Sequence, residues 1–225
     1  MKIETVKGAA GVKLHHGWSQ SHLCWSKQYE SALKDDARIV ALDLRGHGMS
    51  DAPAEIDQYT DGDKWADDIA AVNFVAAAVV LGQRAFGTLM GPGFLENAPG
   101  ACQNDLPTNI AAMRRFLRAC FVKPVSEDNF EEILAFNMVV KPHVRSALIR
   151  RELDFASLLE GITVPVLVTY GHSDTVVLPA MADYILKHCN SAEPSWYEGV
   201  GYAPFLEEPL RFNTELKRFA VSAHH

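Results

Sequence analysis

Five short segments of the chain have the character of strands in a parallel sheet. They are "VKLH" (12–15), "ARIVALDL" (37–44), "NFVAAAVVL" (73–81), "VPVLVTYG" (164–171) and "PSWYEG" (194–199). Between them apolar residues recur at the three- and four-residue spacing of helices. Residues 22–35 set Leu23, Trp25, Tyr29 and Leu33 among polar neighbours, 60–71 follow Thr60 as a helix cap, 179–189 begin at Pro179, and 209–220 read as a surface helix. Strands alternating with helices predict an α/β fold, a doubly wound and mainly parallel sheet with helices on both faces. Residues 83–160 interrupt that alternation with three helical patterns, at 108–121, 127–139 and 142–152. The expected organisation is therefore a core of residues 1–82 and 161–225 carrying a helical lid of residues 83–160 over the carboxyl ends of the strands. The plainer alternative for that insertion is a packing appendage.

One place in the pattern is irregular. Trp65, Ile69 and Val72 keep helical spacing, and from Phe74 onward the run is continuously apolar. No Gly, Pro or Ser/Asp cluster separates the two, although helix-to-strand connections usually take a few residues of turn chemistry. The join at Val72–Asn73 reads as a deletion.

Composition narrows the function classes. At 225 residues and 48% hydrophobic content the chain can bury one sizeable core. Its net charge of -7, with no basic run, leaves no nucleic-acid surface. No apolar run approaches the roughly 18 residues of a membrane span, and "MKIETVKGAAGVKL" lacks the apolar stretch of a secretory signal. Cys24, Cys102, Cys120 and Cys189 form no C-x-x-C pair, as expected of reduced thiols in a cytoplasmic protein. No metal-ligand spacing, phosphate loop or nucleotide fingerprint occurs, so neither metal nor cofactor is implied. The oligomeric state is left open.

Four loops that follow the expected strands carry the chemistry: "HGWSQSHLCW" (16–25), "DLRGHGMSDAP" (43–53), "YGHSDTVV" (170–177) and "GVGYAPFLEEP" (199–209). In this order they resemble the α/β-hydrolase superfamily, in particular its small esterase, haloperoxidase-like and iminopeptidase-like members. The resemblance implies a serine-hydrolase fold in which Gly17 and Trp18 stand in the oxyanion loop and Asp174 stands where the triad acid belongs. Asp174 also suits a simpler role as a cap of the turn behind it. Tyr202 occupies the position of the family's histidine in Gly-His-x-Pro-Phe, and a phenol with a pKa of about 10 is a poor base at neutral pH.

The nucleophile is missing. The family carries G-x-S-x-G on a strand-to-helix elbow between the "RGHG" strand and the next one, and residues 54–72 contain no serine. A turn, strand, elbow and helix, on the order of 30 residues, would fill the join at Val72–Asn73. A second join, at His15–His16, lacks the hairpin and strand that usually precede His-Gly. Ser19 in "GWSQS" is the obvious substitute nucleophile, although the preceding His-Gly marks its loop as the oxyanion loop and a structural loop serine is the plainer reading. His47 and His172 invite a base role, against a structural role in a tight glycine loop for the first. The expected function is thus that of an α/β-hydrolase-family protein with an incomplete triad, descended from enzymes that cleave an ester- or amide-type acyl bond of a small hydrophobic substrate. Residues 86–95, "FGTLMGPGFL", would supply apolar surface to that substrate or pack as lid core. The rival readings are a residual hydrolase working through Ser19, a non-catalytic ligand-binding or scaffold protein, and a truncated product.

Overall fold

In a computed structural model, the structure describes residues 10–55, 59 and 72–222; the helix expected over 60–71, with its Thr60 cap, lies outside them. Strand β1 (Ala10–His15) pairs in parallel with β2 (Ala37–Leu42), Val12 opposite Ile39 and Leu14 opposite Ala41. Strands β3 (Val72–Val75), β6 (Val166–Gly171) and β7 (Ala192–Tyr197) form a second parallel sheet in the order β3-β6-β7. Two-residue strands β4 (Val80–Leu81) and β5 (Leu153–Asp154) make a small antiparallel ladder. The five expected strands are all present in part, and the parallel α/β architecture is as expected.

The segment 73–81 corrects the sequence reading. It is not one strand but two, because the last bond to β6 is made by Ala76, whose N–H donates to the Thr169 carbonyl at 3.1 Å. Ala76 then takes φ 44°, a left-handed conformation that turns the chain away. A continuous apolar run carries no period that separates buried strand from buried turn. The join at Val72–Asn73 lies inside β3, so the backbone bend falls at Ala76 rather than at the join. The helix expected over 22–35 is also broken, into His22–Trp25, Ser26–Tyr29 and Leu33–Asp36. Ser31 interrupts it: its hydroxyl donates to the Gln28 carbonyl and accepts the Leu33 N–H.

The remaining helices follow their local signals. Pro179–His188 starts with proline in its first turn and buries Met181, Ala182 and Ile185 at helical spacing. Pro209–Ser222 buries Phe212, Leu216 and Ala220 against Trp25 and Phe205, with the Trp25 and Phe205 rings 4.6 Å apart. Each large side chain so buried stabilises the fold by roughly 1.5–3 kcal/mol. Within 83–160 lie Leu106–Ala119, capped by Asp105; Glu127–Met138, capped by Ser126; and Pro142–Ile149. This layer touches the loops behind the carboxyl ends of the long strands. Gly91 and Gly93 donate to the Val176 and Thr175 carbonyls after β6. After β7, Glu207 accepts the N–H groups of Val122 and Lys123 at 2.9 Å. In the apolar stretch 86–95, Met90 and Phe94 are buried in the core while Phe86 is exposed. Among the described residues no helix is long and apolar enough to cross a membrane.

Candidate functional site

The loop behind β1 is held by two neutral histidines. His16 Nε2 accepts the Leu44 N–H at 2.9 Å, which leaves its proton on Nδ1, donated to the Gly17 carbonyl at 2.9 Å. Burial, reinforced by neighbouring His47, drives its pKa down to about 3. His47 Nε2 accepts the Ser19 N–H at 3.3 Å, and Nδ1 donates to the Arg45 carbonyl at 3.0 Å. Burial lowers its pKa as well. Both imidazole lone pairs are therefore occupied by backbone donors, and neither ring is free to act as a base. His172 lies elsewhere, half exposed, stacked on Trp196 and 3.2 Å from Glu198.

Ser19 is wholly buried with φ 64°. Its hydroxyl accepts from Arg145 Nε at 2.8 Å and donates to the Asn137 carbonyl at 3.3 Å. These contacts tie the loop to the helical layer. Trp18 does the same by another route: its indole N–H donates to the Arg145 carbonyl at 3.2 Å, and its ring meets Phe94 and Phe116 edge-on at 5.4 and 5.2 Å.

Gly17, Asp174 and Tyr202 are brought together. A Cβ on Gly17 would stand 2.5 Å from the Tyr202 hydroxyl oxygen, so the phenol lies directly on Gly17 and a side chain there would have to displace it. Asp174 is 3% exposed and has two different carboxylate oxygens. Oδ1 accepts the N–H groups of Val176 and Val177 at 2.7 and 3.1 Å, the turn cap that its sequence position allowed. Oδ2 is buried and has no hydrogen-bond partner among the described residues. A triad acid uses such an oxygen to orient its histidine; among the described residues none donates to it. Burial raises the Asp174 pKa to about 7, with Glu207 adding to the rise and the two capping bonds opposing it. Burial, together with nearby Cys120 and Asp174, pushes the Tyr202 phenol far above its ordinary value, so it stays protonated. The arrangement sets a carboxyl oxygen able to accept a hydrogen bond near a neutral phenol.

The raised carboxyl carries a stability prediction. A group whose folded pKa lies above its unfolded value stabilises the fold fully below the unfolded pKa and loses that contribution as pH rises through the folded one. For Asp174 the window runs from about 3.8 to about 7. Asp174→Asn removes the ionisation, so its stability relative to the parent should improve by about 3 kcal/mol between pH 5 and pH 8. Urea unfolding at the two pH values measures it; a pH-independent difference would contradict the assignment.

Two site residues were missed from sequence. Glu207 joins the layer to the loop behind β7, its Oε1 accepting the Gly201 N–H at 2.8 Å. Arg145 is completely buried at the centre of the contacts that hold Trp18 and Ser19. Its signal was present: a lone cation on the apolar face of "PHVRSALI", beside Val144 and Leu148.

Comparison with known proteins bears on the same residues. An AB hydrolase superfamily protein of Bacillus subtilis (strain 168) is 22% identical over 257 residues, covering 98% of this chain and 95% of that protein. A non-heme chloroperoxidase of Streptomyces lividans is 27% identical over 260 residues, covering 94% and 91%. Both alignments are longer than the 225 residues available here, so the relatives contain internal residues that this chain lacks. The crystal structure of an esterase from Rhodococcus sp. ECU1013 superposes with a TM-score of 0.86 at 26% identity, over 98% of this chain and 94% of that one. Residues 14–215 match the family model described as the alpha/beta hydrolase family, and with the fold and loops in agreement the chain belongs to that family.

Proposed function

We propose that this chain is a member of its family that has lost acyl-bond hydrolysis while keeping the fold and the acid side of the site. The observation that carries the reading is Tyr202, whose hydroxyl rests on Gly17 while Asp174 Oδ2 has no hydrogen-bond partner among the described residues. The serine-free interval 54–72 points the same way. Ser19 offers no replacement, because its oxygen is engaged by Arg145 and Asn137 in a buried site. The ancestral reaction in this reading is hydrolysis of an ester- or amide-type bond in a small hydrophobic molecule. Helices of 83–160 serve as the lid over it, with Trp18, Phe94 and Phe116 as the apolar surface nearest the loop.

A fluorophosphonate probe tests this directly, since it phosphonylates activated serines. Intact-mass measurement should find no adduct after overnight exposure at pH 8. A stoichiometric adduct on Ser19 or any other serine would overturn the reading.

A further inference from the structure

We propose that Asp174 works as a proton-operated latch for the helical layer of residues 83–160: the layer stays fastened while the carboxyl carries its proton and opens more readily as the proton is lost. The layer is fastened to the loops behind the strands at two places, and both adjoin this residue. The first is the loop behind β6. There the Gly91 N–H donates to the Val176 carbonyl at 3.0 Å, the Gly93 N–H to the Thr175 carbonyl at 2.9 Å, and the Leu178 N–H to the Leu89 carbonyl at 2.9 Å. The Thr175 hydroxyl donates to the Ala119 carbonyl at 3.2 Å. Asp174 Oδ1 shapes this same loop by capping Val176 and Val177. The second fastening is Glu207. Its Oε2 accepts the N–H groups of Val122 and Lys123 in the layer, and its Oε1 accepts the Gly201 N–H behind β7. Glu207 is also the charged group whose field reaches Asp174.

Proton loss sets these features against each other. The other titratable groups around the carboxyl are Tyr170 of β6, Tyr202 behind β7 and Cys120 of the layer. Burial above all holds the three well above their ordinary values, so each is neutral at neutral pH and none answers a negative charge. Asp174 is 3% exposed, and its Oδ2 has no hydrogen-bond partner among the described residues. Once ionised it is a buried charge held by two capping bonds, with a second carboxylate nearby. Asp174 cannot turn outward without giving up its caps. Glu207 is only half-buried and Val122 and Lys123 are exposed, so water can replace their bonds at little cost. The layer is therefore the part that yields. Loosening it lets water reach the carboxyl, which regains an ordinary acidity, so opening and proton release are linked. Burial, opposed by the two caps and reinforced by Glu207, sets that linkage between about 3.8 and about 7.

The proposal does not rest on the loss of hydrolysis: its readout is amide exchange, and an adduct on a serine would leave it standing. Native-state hydrogen exchange of the full chain, read by NMR and corrected for the intrinsic rate, tests it. Protection of the Gly91 and Gly93 amides should fall at least about tenfold from pH 5 to pH 8, most of it below pH 7. It should stay below that of the β6 amides at both pH values, as a local opening requires. In Asp174→Asn, whose side chain can still cap but cannot ionise, the protection should not change with pH. Glu207→Gln removes the like charge and should shrink the fall. No fall in the parent, an equal fall in Asp174→Asn, or protection matching that of β6 would overturn the proposal. Should the Asn variant fail to fold, an undiminished fall in Glu207→Gln would overturn it as well.

Discussion

Offered a chromogenic short-chain ester at neutral pH, the protein should release product at the rate of buffer alone. A serine triad divides its work among nucleophile, base and orienting acid, and in the proposed reading only the acid role has a candidate, Asp174. Removing the nucleophile or the base from a serine protease lowers turnover by about 10⁶-fold, and the remaining acid supplies neither function. Tyr202→His should leave the rate unchanged, because the restored imidazole would have no serine to activate. It would supply a donor for Asp174 Oδ2, which has no hydrogen-bond partner among the described residues, so the variant should gain stability without gaining activity. Turnover well above background that Ser19→Ala abolishes would sink this expectation and establish Ser19 as the nucleophile.

Replacing Arg145 with alanine should destabilise the protein by about 4 kcal/mol, the scale on which a buried ionic network loses one member. The guanidinium is completely buried, and its hydrogen-bond partners among the described residues are neutral. Nε donates to Ser19 Oγ, one terminal nitrogen to the Ala101 carbonyl and Asn109 Oδ1, and the other to the Asn137 carbonyl at 2.6 Å and the Met138 sulfur. Burial lowers its pKa to about 10, so it remains charged at neutral pH and depends on these acceptors for solvation. Removing it takes a charged donor from four oxygens, leaving Asn109 Oδ1 without its donor while the Ala101 and Asn137 carbonyls keep only their weaker neutral donors, and it opens a void beside the loop of Trp18. The urea midpoint should fall at unchanged slope, and Trp18 emission should shift because its N–H partner is the Arg145 backbone. Arg145→Met, which keeps much of the volume, should still lose about 2–3 kcal/mol through the unpaired Asn109 Oδ1 and the lost charge-assisted bonds. A loss below about 1 kcal/mol in both variants would mean that the network does not hold the loop.

Much of this molecule could be read locally. Helices 106–119 and 127–138 begin where Asp105 and Ser126 can cap them, and 179–188 begins at its proline; each signal acts within one turn, so neighbours in the chain suffice to specify it. β6 announced itself by six apolar or small residues bounded by turn chemistry, and it is buried along its whole length. The lack of serine over 54–72 was likewise legible. Contacts between distant segments were not. Whether the run 73–81 continued as a strand depended on where Thr169 stopped pairing with it, and the fate of the Ser19 hydroxyl depended on Arg145, 126 residues away. Tyr202 could be recognised as a poor base from its identity alone, but its seat on Gly17 and the solitude of Asp174 Oδ2 arise only when the loops behind β1, β6 and β7 converge. Local hydrogen bonding and periodicity set the elements, while their junctions depend on desolvation and packing among residues that only the folded chain brings together.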